Sequence, residues 1–166
     1  MKNQLIGLFP GLSADKNFRI TSPCTSDYNC IAWAAIKNDE FWWPDANIPH
    51  IDGITWPFGL PLNETLNNFI SLYENLGYMV CSDWKYEDRF QKITIYINPT
   101  TLLVTHAARQ NFNGIWTSKL GSLYDIEHTG PKSLEGIKYG IVSTFMKRPN
   151  SSYHIRSIKK FVEKSV

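Results

Sequence analysis

The chain has 166 residues, a formal net charge of +2, and is 43% hydrophobic and 14% aromatic. That length fits one domain, the apolar content is enough to close a core and argues against disorder, and so small a net charge gives no whole-chain case for nucleic acid. No run approaches membrane-spanning length.

The opening Met1–Pro10 holds one lysine and a short apolar run broken by proline, without the long apolar stretch and cleavage site of a secretory signal. Three cysteines without a pairing pattern suit a reducing cytoplasm. The expectation is a cytoplasmic protein, with signal-independent export left open. It folds as one domain over 1–166, with a core at about 25–148 and a locally basic tail or helix over 149–166. Residues 1–25 carry Pro10, Gly11 and Pro23 and read as an irregular lead-in, with Phe18–Thr21 a short strand.

Thr25-Ser-Asp-Tyr-Asn-Cys-Ile-Ala-Trp-Ala34 follows, a polar cap running into an apolar helix expected from about Asp27 to Lys37. Ser26 or Asp27 can cap it. Cys30 falls in the first turn, where the helix dipole favours the thiolate, the form that attacks carbonyl carbon. A lone cysteine in an apolar helix is equally a small packing residue, so chemistry requires a partner. Residues 38–62 are crowded with Pro44, Pro49, Pro57 and Pro61 and with Trp42, Trp43 and Trp56. These exclude long regular elements and supply either packing or an aromatic, substrate-binding wall beside Cys30.

Asn63 to Leu76 reads as an amphipathic helix, because Leu62, Leu66, Phe69, Ile70, Tyr73 and Leu76 share one face and Gly77 ends it. The period then changes to two. Tyr78–Cys81 and Lys92–Ile97 are strands, and Leu102–Arg109 and Ile115–Lys119 form a hairpin around Asn113-Gly114. Gly121–Glu127 reads as a short helix or turn, Lys138–Phe145 as a strand, and Tyr153–Glu163 as a terminal helix.

His106 stands mid-strand among Thr105, Ala107 and Ala108, which leave room around an imidazole. With Gln110 pairing near Ile115, His106 falls opposite Ser118 or Lys119, so a polar neighbour that orients the ring is expected. Asp125 would be a stronger electrostatic partner, and His128 is an alternative base. Lys119 and Arg109 are more suited to holding a loop, a carboxylate such as Glu127 or a substrate than to proton abstraction. The cysteine and histidine spacings do not fit a zinc site, and no cofactor is expected. Cys24 is idle or a resolving thiol, and Cys81 is core.

A helix-start cysteine followed by a histidine on one strand and a polar residue on the next resembles the order in papain-like cysteine hydrolases. The segments Tyr28-Asn-Cys-Ile-Ala-Trp-Ala34, Thr105-His-Ala-Ala-Arg-Gln110, Trp116-Thr-Ser-Lys-Leu-Gly121 and Asp125-Ile-Glu-His128 are similar to those of a group of small bacterial proteins of unassigned activity within that superfamily. The resemblance implies an α+β fold, with the cysteine helix packed on an antiparallel sheet of about four to six strands. It implies Cys30 as nucleophile, His106 as base and acid, and Ser118 or a nearby polar residue as orienter. Two departures stand out: no glutamine precedes Cys30 where papain builds its oxyanion hole, and the third position is not asparagine. Helix N–H groups, helped by the Asn29 amide, would take the oxyanion instead. The expected activity is that of a cysteine amidohydrolase acting on a peptide, another amide or a protein target. The competing expectation is an inactive papain-like module binding a partner through its tryptophan-rich 41–56 segment.

Overall fold

A computed structural model of the chain describes residues 1–45 and 53–150. The expected helix at Tyr153–Glu163 lies outside these residues, as does part of the tryptophan-rich segment.

The chain opens with helix α1 (Lys2–Leu8) and a 3-10 turn at Pro10–Ala14. Residues 1–25 are therefore not an irregular lead-in: Leu5, Phe9 and Leu12 drive this segment into a core despite Pro10. Strand β1 (Arg19–Ile20) leads to helix α2 (Cys30–Ala34), which is shorter than the spacing suggests. Strands β2 (Phe41–Trp42) and β3 (Ile54–Thr55) form a small parallel pair, followed by helix α3 (Leu66–Asn75). Six further strands follow among the described residues: β4 (Met79–Cys81), β5 (Phe90–Ile97), β6 (Val104–Gln110), β7 (Trp116–Lys119), β8 (Asp125–His128) and β9 (Ile141–Pro149).

The fold is α+β, with one seven-stranded sheet in the order β1-β8-β7-β6-β5-β9-β4, antiparallel at every pairing. That is one strand more than the upper expectation. The extra strand is β8, where Asp-Ile-Glu-His extends along β7 rather than forming a helix or turn. Each face of the sheet carries its own core. On one face Ile93, Ile95 and Ala107 pack with Ile31 and Ala34 of α2 and with Phe69, Leu72 and Tyr73 of α3. On the other Tyr96, Ala108, Trp116 and Ile126 pack with Leu5, Phe9, Leu12 and Leu134. The two cores follow from strand periodicity, since successive side chains point to opposite faces. The Tyr73 hydroxyl donates to the Ile31 carbonyl at 3.0 Å, which fixes α2 against α3. No described helix is long and apolar enough to cross a membrane.

Candidate functional site around Cys30

Cys30 is the first residue of α2, and the cap is Asn29 rather than Ser26 or Asp27. The Asn29 side-chain oxygen accepts the N–H of Ala32 at 3.1 Å and of Trp42 at 3.2 Å, while its amide donates to the Trp42 carbonyl at 2.7 Å. This side chain is thereby committed to closing the helix and tying β2 to it. It serves first as a cap, with one amide hydrogen left outside these bonds.

The loop that delivers Cys30 is fastened by the very residues that seemed eligible for chemistry. Lys119 has no exposed surface. Its ammonium donates to the carbonyls of Thr25, at 2.7 Å, and Leu123, and lies 5.1 Å from the Tyr28 ring centre. Two of its three donors are thus spent on backbone carbonyls and the charge stands near a ring, so Lys119 acts as a strut rather than a substrate anchor. Tyr28 donates its hydroxyl to Asp125 Oδ2 at 2.6 Å, and burial beside that carboxylate pushes the phenol up to about 12. Asp125 is therefore engaged by Tyr28, not by His106, and its Oδ1 is buried without a partner. Arg109 lies flat on Trp33, 3.8 Å from the ring centre, and donates to the Trp33 carbonyl at 3.0 Å, stabilising the end of α2. Glu127 pairs with Arg19 instead.

The tryptophans are committed to packing. Trp42 is buried and donates its indole N–H to Glu40 at 2.6 Å. Trp43 donates to Glu64 at 2.9 Å and meets Phe69 edge-on, and Trp56 leans on the same ring at 4.9 Å. All three pack with the α2–α3 core.

The thiol itself occupies a break in the sheet. Strands β6 and β7 pair at Gln110–Trp116 and Arg109–Thr117, and there the ladder stops. Two residues further on, Ala107 would face Lys119. Instead the Lys119 carbonyl accepts the Gly121 N–H at 3.1 Å, and the Ala107 N–H, with those of Cys30 and Ile31, lies close enough to the Cys30 sulfur to favour its thiolate. Helix α2 packs on both strands beside the point where their ladder ends.

Burial dominates the electrostatics of Cys30. It pushes the thiol up to about 11, against the smaller opposing pull of the three N–H groups and of the Lys119 charge. The expectation of a thiolate favoured by the helix start is thus reversed in the resting protein: desolvation outweighs the dipole of a helix of five residues.

His106 lies one residue before Ala107, fully buried, with neither ring nitrogen hydrogen-bonded. Burial, reinforced by nearby His128, holds the imidazole well below its usual range and therefore neutral. Ser118 is not its orienter. The β6–β7 register is one residue off the expected one, and the Ser118 hydroxyl meets His128 Nε2 at 2.9 Å. His128 Nδ1 faces the Gly130 carbonyl at 2.9 Å, so the ring donates there and accepts from Ser118. Both nitrogens of His128 are used, and burial lowers this ring to about 4. His106 instead packs between two phenols. Its ring lies parallel to Tyr139, with centres 3.9 Å apart and planes 4° apart, and Tyr96 contacts it at 5.2 Å.

Tyr28 and Tyr139 are the residues that sequence reasoning missed. Tyr28 sits inside the cysteine segment, and the pair Gly136 and Gly140 brackets Tyr139, a signal of a tight loop that was available in the chain. Among the described residues no three His, Cys, Asp or Glu side chains converge as a metal ion would require.

No curated protein matches the chain, and no solved structure matches it. A family model described as a domain of unknown function (DUF7689) matches residues 19–147, which span β1 to β9 and contain every side chain around Cys30 described above. The chain belongs to that family.

Proposed function

We propose that the protein is a cysteine amidohydrolase of papain-like type, in which Cys30 is the nucleophile and His106 the base. The observation that carries the reading is the Cys30 sulfur beside the end of the β6–β7 ladder, drawn on by the N–H groups of Ala107, Cys30 and Ile31, with the neighbouring β6 residue His106 buried on the other face of the strand and both its nitrogens unspent. A buried imidazole without partners costs about 1–3 kcal/mol, a loss tolerated where the group has another use.

The resting pair is neutral on both sides. When an amide or ester carbonyl enters, a His106 nitrogen, which does not touch the thiol at rest, has to come within reach of it and takes its proton as sulfur bonds to the carbonyl carbon. The N–H groups of Cys30, Ile31 and Ala107 stabilise the negative charge, first on sulfur and then on the carbonyl oxygen. His106 returns the proton to the leaving amine or alcohol as the C–N or C–O bond breaks. Water then attacks the thioester carbonyl as His106 takes its proton, the C–S bond breaks to release the acid, and His106 returns the proton to the Cys30 sulfur.

The activated ester p-nitrophenyl acetate is the probe. Cys24 is exposed and reacts on its own, so a Cys24→Ser background is used. Turnover in that chain is expected to fall at least tenfold on adding Cys30→Ser, a near-isosteric change. Equal turnover with and without the Cys30 sulfur overturns the proposal.

A further inference from the structure

A histidine base needs its ring held in one orientation, and in this site no hydrogen bond does so. What holds the imidazole is a ring face. Tyr139 stacks on it at 3.9 Å with planes within 4°. The phenol is carried by a loop that closes on itself, with Gly136 and Gly140 exchanging both backbone hydrogen bonds at 2.9 and 2.7 Å. Gly140 has φ +73° and a β-carbon there would sit 2.0 Å from the Ile97 carbonyl oxygen, so only glycine lets the loop pass this close to the end of β5. The Tyr139 carbonyl accepts the hydroxyl of Thr105, the residue before His106, which locks loop and base together. Tyr139 also stands within electrostatic reach of the Cys30 thiol.

We propose that Tyr139 is the positioning residue of the site: its ring face, rather than a hydrogen-bonding third member, orients His106 and stabilises the imidazolium formed when Cys30 gives up its proton. An aromatic face attracts a cation laid over it, and the attraction grows when water is excluded. The groups facing His106 from the surrounding elements are Tyr96 of β5, His128 of β8 and Tyr139 itself. Burial keeps both phenols protonated, and no carboxylate is among these groups to supply the orienting charge instead.

The inference rests on His106 acting as base for Cys30, and the test separates the two. Ester turnover is recorded against pH in the Cys24→Ser chain and on adding His106→Ala, Tyr139→Leu or Tyr139→Phe, with thermal melts to fix the folded fraction. The expected result is that His106→Ala removes the inflection due to the imidazole. Tyr139→Leu lowers turnover at least tenfold per folded molecule and shifts that inflection, whereas Tyr139→Phe, which keeps the face and loses the hydroxyl, restores both. If His106→Ala behaves as its parent, the base assignment falls and Tyr139 falls with it. If His106→Ala loses activity but Tyr139→Leu keeps its parent's rate and inflection, the base stands and the positioning role is overturned. A Tyr139→Phe chain as slow as Tyr139→Leu likewise overturns the ring-face role, since it would place the effect in the hydroxyl.

Discussion

Ser118 and His128 form a closed buried pair, with hydroxyl and Nε2 2.9 Å apart and the opposite ring nitrogen on the Gly130 carbonyl. The Ser118 hydrogen and both His128 nitrogens are spent on these two bonds. Ser118→Ala is expected to destabilise the fold by about 1–3 kcal/mol, because it strands a buried acceptor on His128. Turnover per folded molecule should change less than threefold. Urea melts and ester turnover check the two halves separately.

The same pair sets a pH dependence. His128 is lowered to about 4 from an ordinary value of 6.5, and His106 is lowered as well. Below pH 6.5 the unfolded chain binds protons that the native rings refuse, so stability falls as pH drops from about 6.5 to 4. For His128 alone the loss amounts to about 3 kcal/mol across that window. Urea midpoints at a series of pH values should show the decline, and His128→Gln should flatten its slope. A midpoint independent of pH over this interval contradicts the burial described here.

Lys119 ties two segments at once, and its removal should loosen both. Lys119→Met keeps the length and apolar bulk but leaves the Thr25 and Leu123 carbonyls without their donor. The expected loss is about 2–4 kcal/mol, since hydrogen bonds to a charged donor exceed neutral ones. Amide hydrogen exchange should rise in residues 21–29, the loop the ammonium anchors. A chain with unchanged exchange there would place Lys119 outside the support of Cys30.

Asn29 offers a contrast between a cap and an oxyanion donor. Asn29→Ala loses the bond to Ala32 and both bonds to Trp42, at a cost of about 1–3 kcal/mol. With turnover scaled to the folded fraction, the remaining rate effect should be small, because the charge is met by backbone N–H groups. A loss of a hundredfold or more in a fully folded chain would return Asn29 to the oxyanion role.

Several elements were legible in the chain because each depends on local pattern. The α3 helix has a single apolar stripe, and the Asn113-Gly114 hairpin uses its glycine at φ +84°. Strand β8 was not legible. Asp125, Ile126 and His128 are buried and Glu127 largely so, and four residues with two carboxylates read as a strand only once Tyr28, Arg19 and Ser118 are known to be their partners. The site divides in the same way. Cys30 at a helix start and His106 on a strand could be read from spacing. The roles of Lys119, Asp125 and Ser118 could not, because a one-residue register difference moves a side chain to the other face of a sheet. Trp42, Trp43 and Trp56 illustrate a further limit: aromatic crowding looks alike whether the rings face a substrate or, as here, surround Phe69 and the α2–α3 core.

Burial also decides how the thiols react. Cys24 is exposed and Cys30 buried with its thiol raised to about 11, so iodoacetamide near neutral pH should modify Cys24 well before Cys30. Peptide mass mapping over time gives the order directly, and early alkylation of Cys30 would contradict the desolvated thiol.

The most direct test of the central claim is to catch the acyl group. The Cys24→Ser chain is mixed with p-nitrophenyl acetate, quenched in acid during turnover and mapped by mass spectrometry. The expected result is an acetyl group on Cys30 that forms within the first turnover, decays as the ester is exhausted, and forms at least tenfold more slowly in His106→Ala. Turnover with Cys30 unmodified throughout, or acetylation of Cys30 that proceeds at the same rate without His106, would contradict a cysteine hydrolase built on these two residues.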